Sequence, residues 1–161
     1  MKKLFVIFIL LMVSPLYAGE TYAETGPTFL STLKVWEGID PEFNNGQAYL
    51  ITHRFENNYE IGFIGVTSQL YTYCCGYYVV IPQNYAARFS KVFSHKKWSF
   101  VGGIAYWKHT ESYIITQKQT FELAVGYKLS ERTEFRFRHY SNANQTLPNI
   151  GLNMITVDLT F

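Results

Sequence analysis

The chain has 161 residues, among them 14 lysines and arginines and 12 aspartates and glutamates, which give a formal net charge of +2. This length suffices for one domain, and so small an excess of charge argues against a nucleic-acid-binding protein. The only cysteines, Cys74 and Cys75, are adjacent and exclude a framework of several disulfides. A vicinal disulfide, a bridge to another chain and two free thiols all stay open.

The N-terminal segment has the features of a secretory signal peptide. Two lysines are followed by ten apolar residues, Leu4 to Val13, and then by a polar break and the small residue Ala18. A helix needs roughly 20 apolar residues to cross a bilayer, so this run is too short to be a membrane span. We predict an exported protein with its signal at residues 1–18 and one domain at residues 19–161; cleavage after Ala23 is the alternative.

After the signal, polar and apolar residues alternate with a period of two, and helical periodicity is absent. This alternation is typical of β-strands whose two faces meet different surroundings. Most of the alternating segments have about the ten residues that a tilted strand needs to cross a bilayer. We predict eight strands, at residues 29–38, 46–56, 58–69, 82–94, 97–108, 117–129, 131–141 and 151–161.

The connections between these strands alternate in length. Short turns are centred on Asn57, Lys96 and Ser130, and the longer connections are residues 39–45, 70–81, 109–116 and 142–150. Small outer-membrane barrels show this asymmetry, with tight periplasmic turns, longer outer loops and girdles of aromatic residues. We therefore predict an all-β protein, an eight-stranded antiparallel transmembrane β-barrel of a Gram-negative outer membrane. The terminal aromatic residue, Phe161, is typical of the sorting signal read by the barrel-assembly machinery.

The predicted seventh strand shows the two faces of the barrel wall. Phe135 and Phe137 share an outward face suited to lipid. The opposite face is charged and comprises Arg132, Glu134, Arg136 and Arg138. Arg88 and Glu122 have the same inward parity on their own strands. We predict a lumen filled by ion pairs, without an open pore.

Polar residues also occur on the outward face near the end of this strand. His139 and Ser141 are two residues apart, so their side chains point the same way from Cα atoms roughly 6.5–7 Å apart. A serine needs such a neighbouring base to become a nucleophile. Asn153 has the same outward parity on the last strand. Because polar groups facing lipid are costly, these residues either lie at headgroup depth or act on a membrane lipid.

The segment His139-Tyr140-Ser141-Asn142-Ala143, followed by Pro148-Asn149 and Gly151, resembles the signature of the PagL-type lipid A 3-O-deacylases. The resemblance implies an eight-stranded outer-membrane barrel that hydrolyses the ester-linked acyl chain at position 3 of lipid A. It also implies a Ser-His-Glu triad on the outer wall, no metal and no cofactor. Lipid A, as part of lipopolysaccharide, would be the substrate.

Carried over by this motif, Ser141 is the nucleophile and His139 the general base, and Asn142 and Asn149 are candidates to stabilise the oxyanion. The chain departs from the family at position 153, where Asn153 stands in place of the triad glutamate. An amide oxygen can orient a histidine but cannot offset the charge of its imidazolium form, so the departure implies a slower enzyme.

Two other functions are compatible with the sequence. A non-catalytic barrel with a structural or surface-binding role would account for Asn153, since a fold does not fix a function. An outer-membrane esterase of phospholipids would use the same serine and histidine. A homodimer is compatible with either reading. The other histidines, His53, His95 and His109, have no carboxylates or cysteines clustered around them, which argues against a metal site.

Overall fold

A computed structural model describes residues 19–30, 33–34, 38–39, 42–72, 78–110, 115–143 and 151–160. Eight long strands form the body of the molecule: β1 Gly19–Leu30, β2 Glu42–Phe55, β3 Tyr59–Val66, β4 Asn84–His95, β5 Trp98–Trp107, β6 Gln119–Lys128, β7 Thr133–Ser141 and β8 Leu152–Thr160. In the part of the chain so described, no helix is long and apolar enough to cross a membrane.

The eight strands close into one antiparallel barrel. Each strand pairs with its neighbours in the chain, and β1 pairs with β8 to complete the wall. Along every strand buried and exposed residues alternate, because one face points into the lumen and the other outward. The predicted fold class is therefore confirmed. The arrangement of short and long connections is confirmed as well, with turns at 56–58, 96–97 and 129–132.

The position predicted for the first strand, residues 29–38, is wrong, because the strand is Gly19–Leu30. As far as residue 28, where side chains are described, its inward face carries Tyr22 and Glu24, and its outward face carries Thr21, Ala23, Thr25 and Pro27. These outward residues are small or polar, so the segment lacks the strong apolar stripe by which the other strands were recognised. Tertiary pairing with β2 and β8 overrides this weak local signal.

Two of the longer connections contain short strand pairs. Leu33–Lys34 pairs with Gly38–Ile39 after β1, and Gln69–Thr72 pairs with Tyr78–Ile81 after β3. Residues 1–18, Cys74, Cys75 and Phe161 lie outside the described residues, so the predictions made for them stay predictions.

The lumen is filled by ion pairs, as predicted. Arg136 bonds three carboxylates, Glu134 at 2.8 Å, Glu24 at 3.1 Å and Asp158 at 3.2 Å. Its neighbour Arg138 pairs with Glu24 and with Glu122. These ion pairs connect β1, β6, β7 and β8 across the interior of the barrel and so stabilise its wall.

A third arginine, Arg88 on β4, extends the network to the other side of the lumen. It pairs with Glu60 at 2.8 Å and with Glu122 at 3.1 Å, and it also donates to Thr52. Towards the longer connections the interior becomes apolar, with a cluster that includes Leu50, Trp107 and Met154. The prediction that Arg132 points inward is wrong: this residue lies in the exposed turn before β7.

Replacing Arg136 with methionine is expected to lower the free energy of unfolding by about 3–5 kcal/mol, because Glu134 and Asp158 lose their arginine and Glu24 keeps only Arg138. Urea-induced unfolding of the detergent-folded barrel, followed by tryptophan fluorescence, measures the change. Arg132→Met is the matched control and should have almost no effect, since Arg132 is exposed. Equal stability of the two variants would contradict a bracing role of the network.

Candidate active site

Strand β7 places His139 and Ser141 together on the outer wall. Their inward neighbours Arg138 and Tyr140 are fully buried, whereas Phe137 on the outward face is 39% exposed. His139 and Ser141 are both half-buried. The strand period therefore puts the predicted base and nucleophile on one face, at the end of β7 that leads into a longer connection.

Asn153 lies directly across the strand pair from His139. In the β7–β8 register these two residues are partners, and the Nδ1 atom of His139 is 2.8 Å from the Oδ1 atom of Asn153. An amide oxygen can only accept a hydrogen bond, so this contact holds the proton on Nδ1. The other ring nitrogen, Nε2, is then the atom with a free lone pair.

Burial strengthens this pairing. Asn153 is completely buried although its parity on β8 is outward, and its side chain contacts the imidazole of His139. A hydrogen bond removed from water fixes the orientation of its partners more firmly than an exposed one. The structure thus brings together His139 and Asn153, two of the three residues expected to form a triad.

Gly151 forms the floor of the site next to the histidine. Its φ angle is +74°, a left-handed conformation that favours glycine. A Cβ atom at this position would lie 2.6 Å from Cε1 of His139 and 3.0 Å from the carbonyl oxygen of Tyr140. The imidazole therefore rests against the backbone of Gly151, and any side chain would displace it.

We expect Gly151→Ala to reduce turnover by about 100-fold, since small misplacements of a catalytic group cost that much. The added methyl group meets the ring of His139 and also strains the backbone. Steady-state hydrolysis of a chromogenic ester by the folded barrel measures the effect. Gly65→Ala, on the outer wall of β3 and with ordinary contacts, serves as the control. Full activity of Gly151→Ala would show that the imidazole is not held here.

Between the two outward residues, Tyr140 anchors the strand to the interior. Its hydroxyl donates a hydrogen bond of 3.0 Å to Glu122, and its ring makes an edge contact with Trp107. Trp107 is itself held by a bond from Nε1 to Thr120. The charged lumen therefore has a second effect: it fixes the stretch of β7 from which His139 and Ser141 project.

Asn142, a predicted oxyanion donor, is buried at the end of β7. Its Nδ2 atom donates to Oγ1 of Thr116 at 2.6 Å, and this bond ties the residue after Ser141 to the connection that leads into β6. The contact favours a positioning role for Asn142. The other candidate, Asn149, lies outside the described residues.

Two parts of this site were not anticipated from the sequence. Thr116 gives no signal, because its closeness to Asn142 depends on how two connections meet in space. Gly151 belongs to the recognised motif, but its contact with the imidazole depends on the pairing of β7 with β8.

Within the described ranges, no group of three or more His, Cys, Asp or Glu residues could hold a metal ion.

Comparison with solved structures bears on the fold. The outer membrane protein Ail of Yersinia pestis, determined in a phospholipid bilayer nanodisc, is 16% identical and superposes with a TM-score of 0.51 over 89% of this chain and 100% of its own. The outer membrane protein W of E. coli is 12% identical, with a TM-score of 0.48 over 91% of this chain and 100% of its own. No curated protein matches the sequence.

Comparison with family models bears on identity. The model described as lipid A 3-O-deacylase (PagL) matches residues 47–161, which is more than half of the chain. The match begins within β2 and contains His139, Ser141, Gly151 and Asn153. The chain is thus an outer-membrane β-barrel that belongs to the PagL family of lipid A 3-O-deacylases.

Proposed function

We propose that this protein is a lipid A 3-O-deacylase that uses Ser141 as nucleophile and His139 as general base. The observation that carries the proposal is the 2.8 Å contact between His139 Nδ1 and Asn153 Oδ1 beside a serine on the same face of β7. This contact orients the imidazole of His139, as the third residue of a serine hydrolase triad does. Membership of the family supports lipid A as the substrate.

The reaction follows from these roles. Nε2 of His139 removes the hydroxyl proton as the oxygen of Ser141 attacks the ester carbonyl, which gives a tetrahedral intermediate. Hydrogen-bond donors, for which Asn142 and Asn149 are the predicted candidates, stabilise the oxyanion of this intermediate. When the intermediate collapses, the bond to the lipid hydroxyl breaks and His139 returns the proton to that oxygen. Water, deprotonated by the same imidazole, then attacks the acyl-enzyme ester, and the fatty acid is released as His139 returns the proton to the oxygen of Ser141.

Asn153 determines the tautomer of His139 in this scheme. Its amide oxygen accepts a hydrogen bond from Nδ1–H, which keeps the proton on Nδ1 and leaves Nε2 as the base. Its amide is neutral, however, and does not stabilise the imidazolium that forms in the transition state as a carboxylate would. We therefore propose a functional but slower triad, Ser141-His139-Asn153.

The location of the site suits a lipid substrate. His139 and Ser141 are on the outer wall among exposed apolar side chains, at the end of the barrel with the longer connections. In a Gram-negative outer membrane oriented with those connections outside, this end meets the outer leaflet, where lipid A resides. A soluble ester would not require a site on the lipid-facing wall.

Mass spectrometry of lipid A tests the proposal. The chain and its Ser141→Ala variant are expressed in a Gram-negative strain with fully acylated lipid A. The parent should remove one hydroxyacyl chain, and the variant should leave the lipid unchanged. Phospholipids from the same cells are analysed in parallel, so that release of fatty acid from them would identify a phospholipid esterase instead.

Folding must be shown in the same cells. Resistance of the unheated barrel to denaturation in gel electrophoresis establishes that parent and variant are folded in the outer membrane. Unchanged lipid A in cells that contain the folded parent would overturn the proposed activity and leave a non-catalytic barrel.

A further inference from the structure

Lys91 on β4 is unusual among the outward-facing residues of the barrel. Wherever side chains are described, the other outward positions of the eight strands hold aromatic, aliphatic, small or neutral polar residues and histidines. Lys91 is the exception, and it is half-buried between its outward neighbours Phe89 and Phe93. A permanently charged group that faces lipid is costly, so it needs a polar partner within reach.

Lys91 lies at the membrane interface, on the side of the short turns. It pairs with Tyr59, the first residue of β3, directly after the turn at 56–58. Exposed aromatic side chains surround this end of the barrel, among them Tyr59, Phe93 and Trp98. Such rings mark the level of the lipid headgroups. With the longer connections outside the cell, this level belongs to the periplasmic leaflet.

Tyr59 and Asn57 hold the ammonium group of Lys91. Its Nζ atom lies 4.1 Å from the centre of the Tyr59 ring and donates a hydrogen bond to the backbone oxygen of Asn57. The ring is itself stacked on Phe89, with the two centroids 5.5 Å apart and an interplanar angle of 13°. These contacts fix the ammonium group at the level of the headgroups.

The charge of Lys91 is nevertheless not neutralised by the described part of the chain. There it forms no ion pair with a carboxylate, and its bond to Asn57 uses one of three N–H donors. Glu56, the acid of the same turn, is exposed. On the other side Lys91 pairs with Gly102, where a Cβ atom would have no other atom within 4 Å. An anion can therefore approach the ammonium group from the membrane.

We propose that Lys91 binds the phosphate of an anionic phospholipid in the periplasmic leaflet. Phosphate oxygens are the anionic groups at headgroup depth, and they accept the two remaining N–H donors. A lipid with a net negative charge neutralises the cation, whereas the ammonium group of a zwitterionic lipid competes with it. The site is at the end of the barrel opposite to the candidate active site, so the inference is independent of the proposed hydrolase function.

Competition between two lipids tests the inference. The folded barrel carries Ser141→Ala, which removes the proposed nucleophile and so protects the probes from hydrolysis. It is mixed in detergent with equal amounts of phosphatidylglycerol and phosphatidylethanolamine that have identical acyl chains, and native mass spectrometry counts the bound lipids. One lysine at an anionic surface changes affinity by about fivefold. We expect phosphatidylglycerol adducts to be in excess by about this factor.

Further variants locate the site. Lys91→Gln should lose the preference for phosphatidylglycerol, and Lys91→Arg, which keeps the charge, should retain it. The control is Lys97→Gln, which removes an exposed lysine from the turn at 96–97 and should bind as the parent does.

Three results would overturn the inference. The first is equal binding of the two lipids by the parent barrel. The second is an unchanged preference in Lys91→Gln, or an equal loss of preference in Lys97→Gln. The third is a barrel dimer that dissociates in Lys91→Gln, because it would assign this surface to a second copy of the chain.

Discussion

Replacing His139 with glutamine is expected to reduce ester hydrolysis by about 10⁴- to 10⁶-fold. Glutamine cannot accept the proton of Ser141 at neutral pH, so the hydroxyl stays a weak nucleophile. Hydrolysis of lipid A by the purified barrel, measured as fatty acid release, gives the rate.

A second readout reports on the serine itself. Labelling by a fluorophosphonate requires an activated hydroxyl, so His139→Gln should lose it together with turnover. The control is His53→Gln, because His53 is also a histidine of the outer wall, with Nδ1 3.0 Å from the hydroxyl of Thr21. Both rate and labelling should be normal in this variant. Rapid labelling of Ser141 in His139→Gln would exclude His139 as its base.

Substitutions of Asn153 should change the rate in opposite directions. Asn153→Ala removes the acceptor 2.8 Å from Nδ1 of His139, and we expect turnover to fall by about 10³- to 10⁴-fold, because the ring is no longer held in the productive tautomer. Asn153→Asp keeps the shape and adds a charge that stabilises the imidazolium. We expect this variant to hydrolyse lipid A faster than the parent.

Comparison of Asn153→Ala with a third variant, Asn153→Leu, distinguishes loss of orientation of His139 from loss of packing. Asn153 is completely buried, so its removal could also act through a cavity. Asn153→Leu fills the space without an acceptor and should be as inactive as Asn153→Ala, with a normal unfolding transition. If Asn153→Leu retained parental activity, the amide would have no part in orienting His139.

The sequence by itself determined the fold class and the faces of the wall. Period-two alternation is a local property of a strand whose sides meet lipid and lumen, so seven of the eight predicted segments coincide with barrel strands. The same parity placed Arg136 and Arg138 inside, and His139 and Ser141 outside. The pair His139 and Ser141 could be recognised from the sequence because residues two apart on one strand project from the same face.

Tertiary structure alone decided the position of the first strand. Thr21, Ala23 and Thr25 give that strand no outward apolar stripe, and its place is set by pairing with β2 and β8. Arg132 was misplaced for a related reason: strand parity does not continue into a turn.

Tertiary structure also decided the contacts that make a site of the motif. The pairing of β7 with β8 brings Asn153 and Gly151 against His139. Folding of the connections joins Asn142 to Thr116. Such contacts join residues that are distant in the chain, and local alternation carries no information about which strand lies beside which.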